Sequence, residues 1–286
     1  MKRQFLKTGF LVVTICAALA AMTAATYAWF TTNKAVSTGT ATARTGDERL
    51  ELQISSEGGS RFTDQETVSV FQVNQTDQKN MIPVSTDNLV DFVYAPFTSG
   101  GDAKKFLRVE KEENYYHGRI YLRAVGDGFA ADDRLALYLD QSDGILASAS
   151  SGMLLHASRL GLRFDNDKTV IFRLSDDTNP KDAQTYNTII NGKRLGADQV
   201  LSYQNGTIKA VADPSVSLSD YTISFETSSI RIPDKPLLLM EWNKIYTLDI
   251  YFYLEGCDPD CSDSVSFDQA DIHLAFYGML SQGADK

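Results

Sequence analysis

Tyr246-Thr247-Leu248-Asp249-Ile250-Tyr251-Phe252-Tyr253-Leu254 alternates without a break. Tyr246, Leu248, Ile250, Phe252 and Leu254 point one way, and Thr247, Asp249, Tyr251 and Tyr253 the other. Successive side chains of a strand project to opposite faces, so a period of two marks a strand with one face in a core. The second face is aromatic rather than charged, which predicts a cover over it: a loop, another strand or a partner.

Shorter copies of the pattern occur at Leu50–Ile54, Ile120–Ala124, Leu135–Leu139, Leu160–Phe164, Val170–Leu174, Ile223–Phe225 and Ile272–Phe276. No long stretch beyond residue 28 carries a 3.6-residue apolar stripe. Turn formers separate the runs, among them Gly126-Asp127-Gly128, Asn205-Gly206 and Asp213-Pro214, which reverse the chain through glycine's positive φ, proline's fixed φ or Asx hydrogen bonds. Asp165-Asn166-Asp167-Lys168 joins two alternating runs and reads as a hairpin. Many short strands without interleaved amphipathic helices predict an all-β fold, an antiparallel β-sandwich of jelly-roll type behind an N-terminal signal helix.

The predicted organisation is a signal peptide or membrane-anchoring helix at 1–28, an extended segment at 29–46, and one β-sandwich domain at 47–286 with long insertions near 55–102 and 175–219. Within the second insertion, Asn187–Lys193 suggests a small hairpin and Gln199–Tyr203 a further strand. Neither insertion has the composition of a flexible interdomain linker.

Lys2, Arg3 and Lys7 precede an uncharged Ala/Leu/Val/Thr-rich run from Thr8 to Ala25. A basic n-region, an apolar h-region and small residues at its end are the parts of a signal peptide for the Sec pathway. Threonines and alanines make the run weakly apolar, so cleavage is expected, between Ala28 and Trp29, and the chain is expected outside the cell or at its surface. The alternative is an uncleaved helix that anchors the chain to the membrane through residues 8–28. Cys16 belongs to the h-region, since Ile15 stands where a lipobox needs a small residue.

Losing residues 1–28 removes three cations and leaves 24 bases against 37 acids, a net charge of −13. Such a surface repels phosphates, so neither nucleic acid nor an anionic membrane surface is expected as a partner.

Catalytic motifs are sparse. The chain has three histidines, His117, His156 and His273, and none lies in a zinc-binding His-Glu-x-x-His helix. There is no Gly-x-Ser-x-Gly elbow and no glycine-rich phosphate loop. The histidines read as structural, and no catalytic residue is assigned.

The sharpest local motif is Glu255-Gly256-Cys257-Asp258-Pro259-Asp260-Cys261-Ser262-Asp263. Two cysteines four apart on the oxidising side of a membrane suggest a disulfide between Cys257 and Cys261, with free thiols as the alternative. Two ligands are too few for structural zinc. Asp258, Asp260 and Asp263, with Asp268 and Asp271 near them, form a weak candidate set for calcium, but the glycine and terminal glutamate of an EF-hand loop are missing. Solvated carboxylates on a turn are the simpler reading, and no cofactor is expected. The tyrosines, including Tyr115, Tyr116, Tyr251 and Tyr253, suit strand packing, with stacking on sugars as the other use.

The run Ala25-Thr26-Tyr27-Ala28-Trp29-Phe30-Thr31-Thr32, followed by Val36-Ser37-Thr38-Gly39-Thr40 and Leu50-Glu51-Leu52, resembles the TasA/camelysin class of Gram-positive surface proteins. The resemblance covers about residues 1–54. It implies a precursor cut by a SipW-type signal peptidase, a jelly-roll domain, and a place at the cell surface or in the biofilm matrix. It also implies self-association, with the freed segment from Trp29 to Gly46 inserting as a strand into a neighbouring subunit. The Cys257/Cys261 loop and the long middle segments depart from the class, and no zinc motif here supports the protease activity described for camelysin. The leading expectation is therefore a non-enzymatic structural subunit that associates with itself or with other matrix proteins. A secreted glycan- or cell-wall-binding module is the alternative, and a hydrolase with dispersed catalytic residues the third.

Overall fold

Ile245–Leu254 is a ten-residue strand in the computed structural model, which describes residues 34–39, 49–56, 58–59, 61–62, 68–69, 82–94, 106–110, 114–140, 148–149, 153–165, 167–175, 184–190, 193–196, 198–226, 229–261 and 270–281. The signal segment 1–28, the cleavage site at Ala28 and Trp29, and Asp263 lie outside the described residues. Among those described, no helix is long and apolar enough to cross a membrane.

The described residues of the chain are mostly strand. In order it forms β1 (Lys34–Gly39), β2 (Arg49–Ser55), β3 (Val68–Ser69), β4 (Val84–Ser85), β5 (Val93–Tyr94), β6 (Leu107–Arg108), β7 (Tyr116–Asp127), β8 (Arg134–Asp140), β9 (Ser148–Ala149), a short helix α1 (Met153–Ala157), β10 (Ser158–Phe164) and β11 (Thr169–Arg173). There follow β12 (Gln184–Ile190), β13 (Lys193–Gly196), β14 (Gln199–Gln204), β15 (Thr207–Ala212), β16 (Val216–Ser217), a 3-10 turn (Leu218–Asp220), β17 (Thr222–Glu226), β18 (Ser229–Arg231), β19 (Leu238–Met240), β20 (Ile245–Leu254) and β21 (Ala270–Ser281).

Seven of the eight alternating runs lie wholly in a strand, and Val170–Leu174 passes the end of β11 by one residue. Six strands make one sheet in the order β16-β11-β10-β20-β7-β2, and an eight-stranded sheet runs β18-β17-β8-β21-β1-β3, with β19 paired to β8 and β9 to β21. The hairpin expected at Asp165–Lys168 joins β10 to β11, with Arg163 opposite Thr169. In the region of the second insertion, β12 pairs with β13 and β14 with β15.

Both large sheets contribute to one core. Leu248, Ile250, Phe252 and Leu254 of β20 meet Leu135, Leu137 and Leu139 of β8 and Leu274 and Phe276 of β21 in a single buried cluster. Each such side chain contributes about 1.5–3 kcal/mol by leaving water.

The aromatic second face of β20 is covered, and the cover is a loop. Val84 of β4, Leu89 and Phe92 of the β4–β5 connection, and Tyr115 pack on Tyr251 and Tyr253. Phe92 stacks on Tyr115 at 4.0 Å and meets Tyr253 edge-on at 5.5 Å. Tyr115, Tyr116, Tyr251 and Tyr253 are all buried, so strand packing accounts for them and none is a platform for sugars.

Local chemistry shapes this cover. Thr86 Oγ1 accepts from the N–H groups of Asn88 and Leu89, and Asn88 Oδ1 accepts from those of Val90 and Asp91. These side-chain turns hold Leu89 at φ +57°, a left-handed conformation that costs a non-glycine residue free energy and persists because its side chain is buried. Gly161 of β10 makes room beneath it: a Cβ there would stand 2.5 Å from Leu89.

Candidate functional site

Two arrangements stand out beyond the core. The first is the edge of β21 that β1 occupies. Strand β8 pairs with Phe276–Ser281 and β9 with Ala270 and Asp271. β1 pairs in parallel with Ile272–Tyr277, from Lys34 opposite Ile272 to Gly39 opposite Tyr277. Among the described residues, β1 also pairs with β3, Ala35 with Ser69 and Val36 with Val68. Parallel pairing is slightly weaker per residue than antiparallel, and a strand held mainly along one side is the type that exchanges.

The second lies at the end of β20, where the chain turns through Glu255-Gly256-Cys257-Asp258-Pro259-Asp260-Cys261. The Glu255 N–H donates to Ala157 O and the Gly256 N–H to Val84 O, each at 2.8 Å. Inside the turn, the Asp258 N–H donates to Glu255 O at 3.1 Å and the Cys261 N–H to Asp258 O at 3.0 Å.

The disulfide expected across this turn is absent: Cys257 and Cys261 are free thiols. Backbone hydrogen bonds close the loop instead. Burial, reinforced by the nearby Glu255 carboxyl, pushes the Cys257 thiol well above its ordinary range and Cys261 up to about 12. Little thiolate exists at neutral pH, and the thiolate is the species that attacks another sulfur.

The loop carboxylates, expected in solvent, are buried. Asp258 and Asp260 are both nearly inaccessible, because Asp258 Oδ2 accepts from the Arg159 guanidinium at 2.6 Å while its Oδ1 accepts the Asp260 N–H at 2.9 Å. Arg159 is one of the largest fully buried side chains of the protein. Its Nη1 donates to His156 O and Ser158 O, and its Nη2 lies 3.5 Å from Asp213. Asp213 is shared with Arg173 at 2.9 Å and accepts the Ser215 N–H at 2.8 Å. Burial works to raise the Asp213 carboxyl, and Arg159, Ser215 and Arg173 overcome it, so it sits below its ordinary value. Calcium at Asp258 would have to displace the guanidinium. Among the described residues no group of three or more His, Cys, Asp or Glu side chains has the arrangement of a metal site.

Glu255 completes the cluster. Its Oε1 accepts the Cys257 N–H at 3.0 Å, and its Oε2 is buried without a hydrogen-bond partner among the described residues. Burial raises this carboxyl, only partly offset by Arg159 and Ser85, to about 8. It is therefore neutral at pH 7, which leaves Arg159 and Arg173 to balance Asp213 and Asp258.

Of the histidines, His117 lies 3.1 Å from Asp249 and stacks on Tyr251 at 4.6 Å, and His156 gives its carbonyl to Arg159. His273 is in β21. His117 and His156 are 39 positions apart in the sequence. Alternation along β10 hid Arg159: it falls on the face opposite Leu160 and Leu162, which a sequence reading assigns to solvent.

No protein-family model matches the chain, and neither the curated proteins nor the solved structures contain a match.

Proposed function

We propose that this chain is an exported, non-enzymatic structural subunit of a cell surface or biofilm matrix that self-associates by donating its N-terminal strand. The observation that carries the reading is β1. The segment that would be freed at Trp29 contains a strand that pairs in parallel along Ile272–Tyr277 and precedes the first core strand, β2, by nine residues. That edge accepts an extended segment of this sequence, and main-chain hydrogen bonding does not depend on which molecule supplies it. A subunit whose own β1 is withdrawn presents the same edge to the β1 of its neighbour.

The jelly-roll reading is part of the proposal. The consecutive strands β7 and β8 lie beside the consecutive strands β20 and β21, β7 pairing with β20 in one sheet and β8 with β21 in the other. A pair of strands wrapped alongside another pair is the relation from which jelly rolls are built. Export rests on the basic and apolar leader, with a signal peptidase as the processing partner. The TasA-like reading rests on the residues around Trp29.

Protein beginning at Trp29 is expected to form filaments in negative stain and to elute as assemblies that grow with concentration. Protein beginning at Asp47 is expected to stay unassembled under the same conditions. If both remain monomeric across concentration and pH, strand donation is wrong.

A further inference from the structure

At the side of the sheets away from β1, the last strands of both sheets end beside one another. β16 closes the six-stranded sheet and β18 the eight-stranded sheet. Between the 3-10 turn that follows β16 and the stretch that follows β18 lies a groove of about 330 Å³, lined in part by Asp220, Tyr221, Arg231, Ile232, Asp234 and Lys235. This volume falls at the lower end of the range for small-ligand sites.

The groove has an apolar wall and two kinds of charge. Tyr221 is fixed by an edge-on contact with Phe172 at 5.7 Å, inside the core, and Ile232 beside it is 45% exposed. Arg231, Lys235, Asp220 and Asp234 are exposed, and among the described residues none of the four pairs with another. Burial lowers the proton affinity of the Lys168 ammonium, and Lys235 lies close enough to lower it further. Two cations and two carboxylates thus face one groove, and in a chain of net charge −10 Arg231 and Lys235 are its points of attraction for an anionic group.

We propose that this groove binds a carboxylate-bearing sugar, a uronic-acid unit of an acidic polysaccharide. Each wall has a use for such a ligand and only part of the site serves a simpler one. The Arg231 fork and the Lys235 ammonium take the sugar carboxylate. Asp220 and Asp234 accept hydrogen bonds from its hydroxyls, and Tyr221 with Ile232 covers its C–H face. A plain anion would leave two carboxylates facing it, and a neutral sugar would leave two cations idle. The proposal extends the matrix role: the subunit would hold polysaccharide at the edge opposite the one used for assembly, and it stands whether or not the chain polymerises.

The test is titration of the full chain with galacturonate, galactose and acetate, followed by calorimetry and by amide chemical shifts. Galacturonate is expected to bind saturably with Kd on the order of 1 mM and to shift residues 216–221 and 231–235. Galactose and acetate are each expected to bind roughly tenfold more weakly, since each forfeits charge-assisted or hydroxyl hydrogen bonds. Arg231→Gln and Asp234→Asn should each weaken galacturonate by roughly tenfold while the melting temperature stays unchanged, because both side chains are exposed. Lys235→Gln supplies a second cation variant should Arg231→Gln fold poorly. Absence of saturable binding, equal binding of acetate or galactose, or full affinity in the cation variants would overturn the proposal.

Discussion

Replacing Arg159 by alanine is expected to destabilise the protein by about 3–5 kcal/mol, the cost of breaking a buried ion pair from one side. The guanidinium is buried against Asp258 at 2.6 Å and Asp213 at 3.5 Å, and its loss leaves two carboxylates in the interior with only Arg173 to face them. It also removes the donor to His156 O and Ser158 O, which ties α1 to β10. Urea unfolding should show a lower midpoint with little change in slope. Because the cost lies in the orphaned partners, Arg159→Met combined with Asp258→Asn should cost less than the two single changes added together, a coupling of about 1–3 kcal/mol. Strict additivity would mean that the two side chains do not act as a pair.

Glu255→Gln is expected to change the pH dependence of stability strongly. The folded carboxyl sits at about 8 against an ordinary 4.5, a gap equivalent to roughly 5 kcal/mol. Because the folded state holds the proton more tightly than the unfolded one, stability falls as pH rises from about 4.5 to about 8 and levels off above. Below pH 4.5 both states are protonated and the residue carries no penalty. Asp249 acts in the opposite sense: although burial raises its carboxyl, hydrogen bonds from His117 and Arg119 bring it down to about 2 against an ordinary 3.8. The stability it gives is present above 3.8 and fades as pH falls toward 2. The protein should therefore be most stable near pH 4–5, as judged by thermal melts across pH. In Glu255→Gln the alkaline decline should flatten while the acid limb remains, so the variant exceeds the parent at pH 8 and matches it at pH 4. Parallel curves for parent and variant would contradict the assignment.

The core was legible where alternation alone decides it. Tyr246, Leu248, Ile250, Phe252 and Leu254 face inward as their spacing requires, and the eight alternating runs mark eight strands of the two large sheets. The aromatic underside of β20 signalled a cover, but nothing in Tyr251 or Tyr253 says that residues 84–94 supply it. That depends on Gly161 admitting Leu89, a contact between positions 72 residues apart. The Arg159 cluster was hidden for the same reason. In Ser158-Arg159-Leu160-Gly161-Leu162 an arginine on the alternate face reads as solvent-exposed unless the loop above it is known, and Asp258 and Asp260 read as solvated unless Arg159 is known. For the cysteines, spacing and the expected compartment speak for a disulfide and free thiols are the alternative; the two are free, in a loop closed by backbone hydrogen bonds and buried beside Glu255. The groove at 216–235 needs the ends of two sheets side by side, which no local pattern encodes.

Amide hydrogen exchange along Ile272–Tyr277 tests the assembly account most directly. In protein beginning at Asp47, the amides of β21 that face β1 are expected to exchange quickly. Adding a synthetic peptide of residues 29–46 in trans should restore their protection and leave the core of β20 unchanged. If those amides are equally protected with and without β1, or if the peptide leaves them exposed, the edge of β21 is not where these chains join.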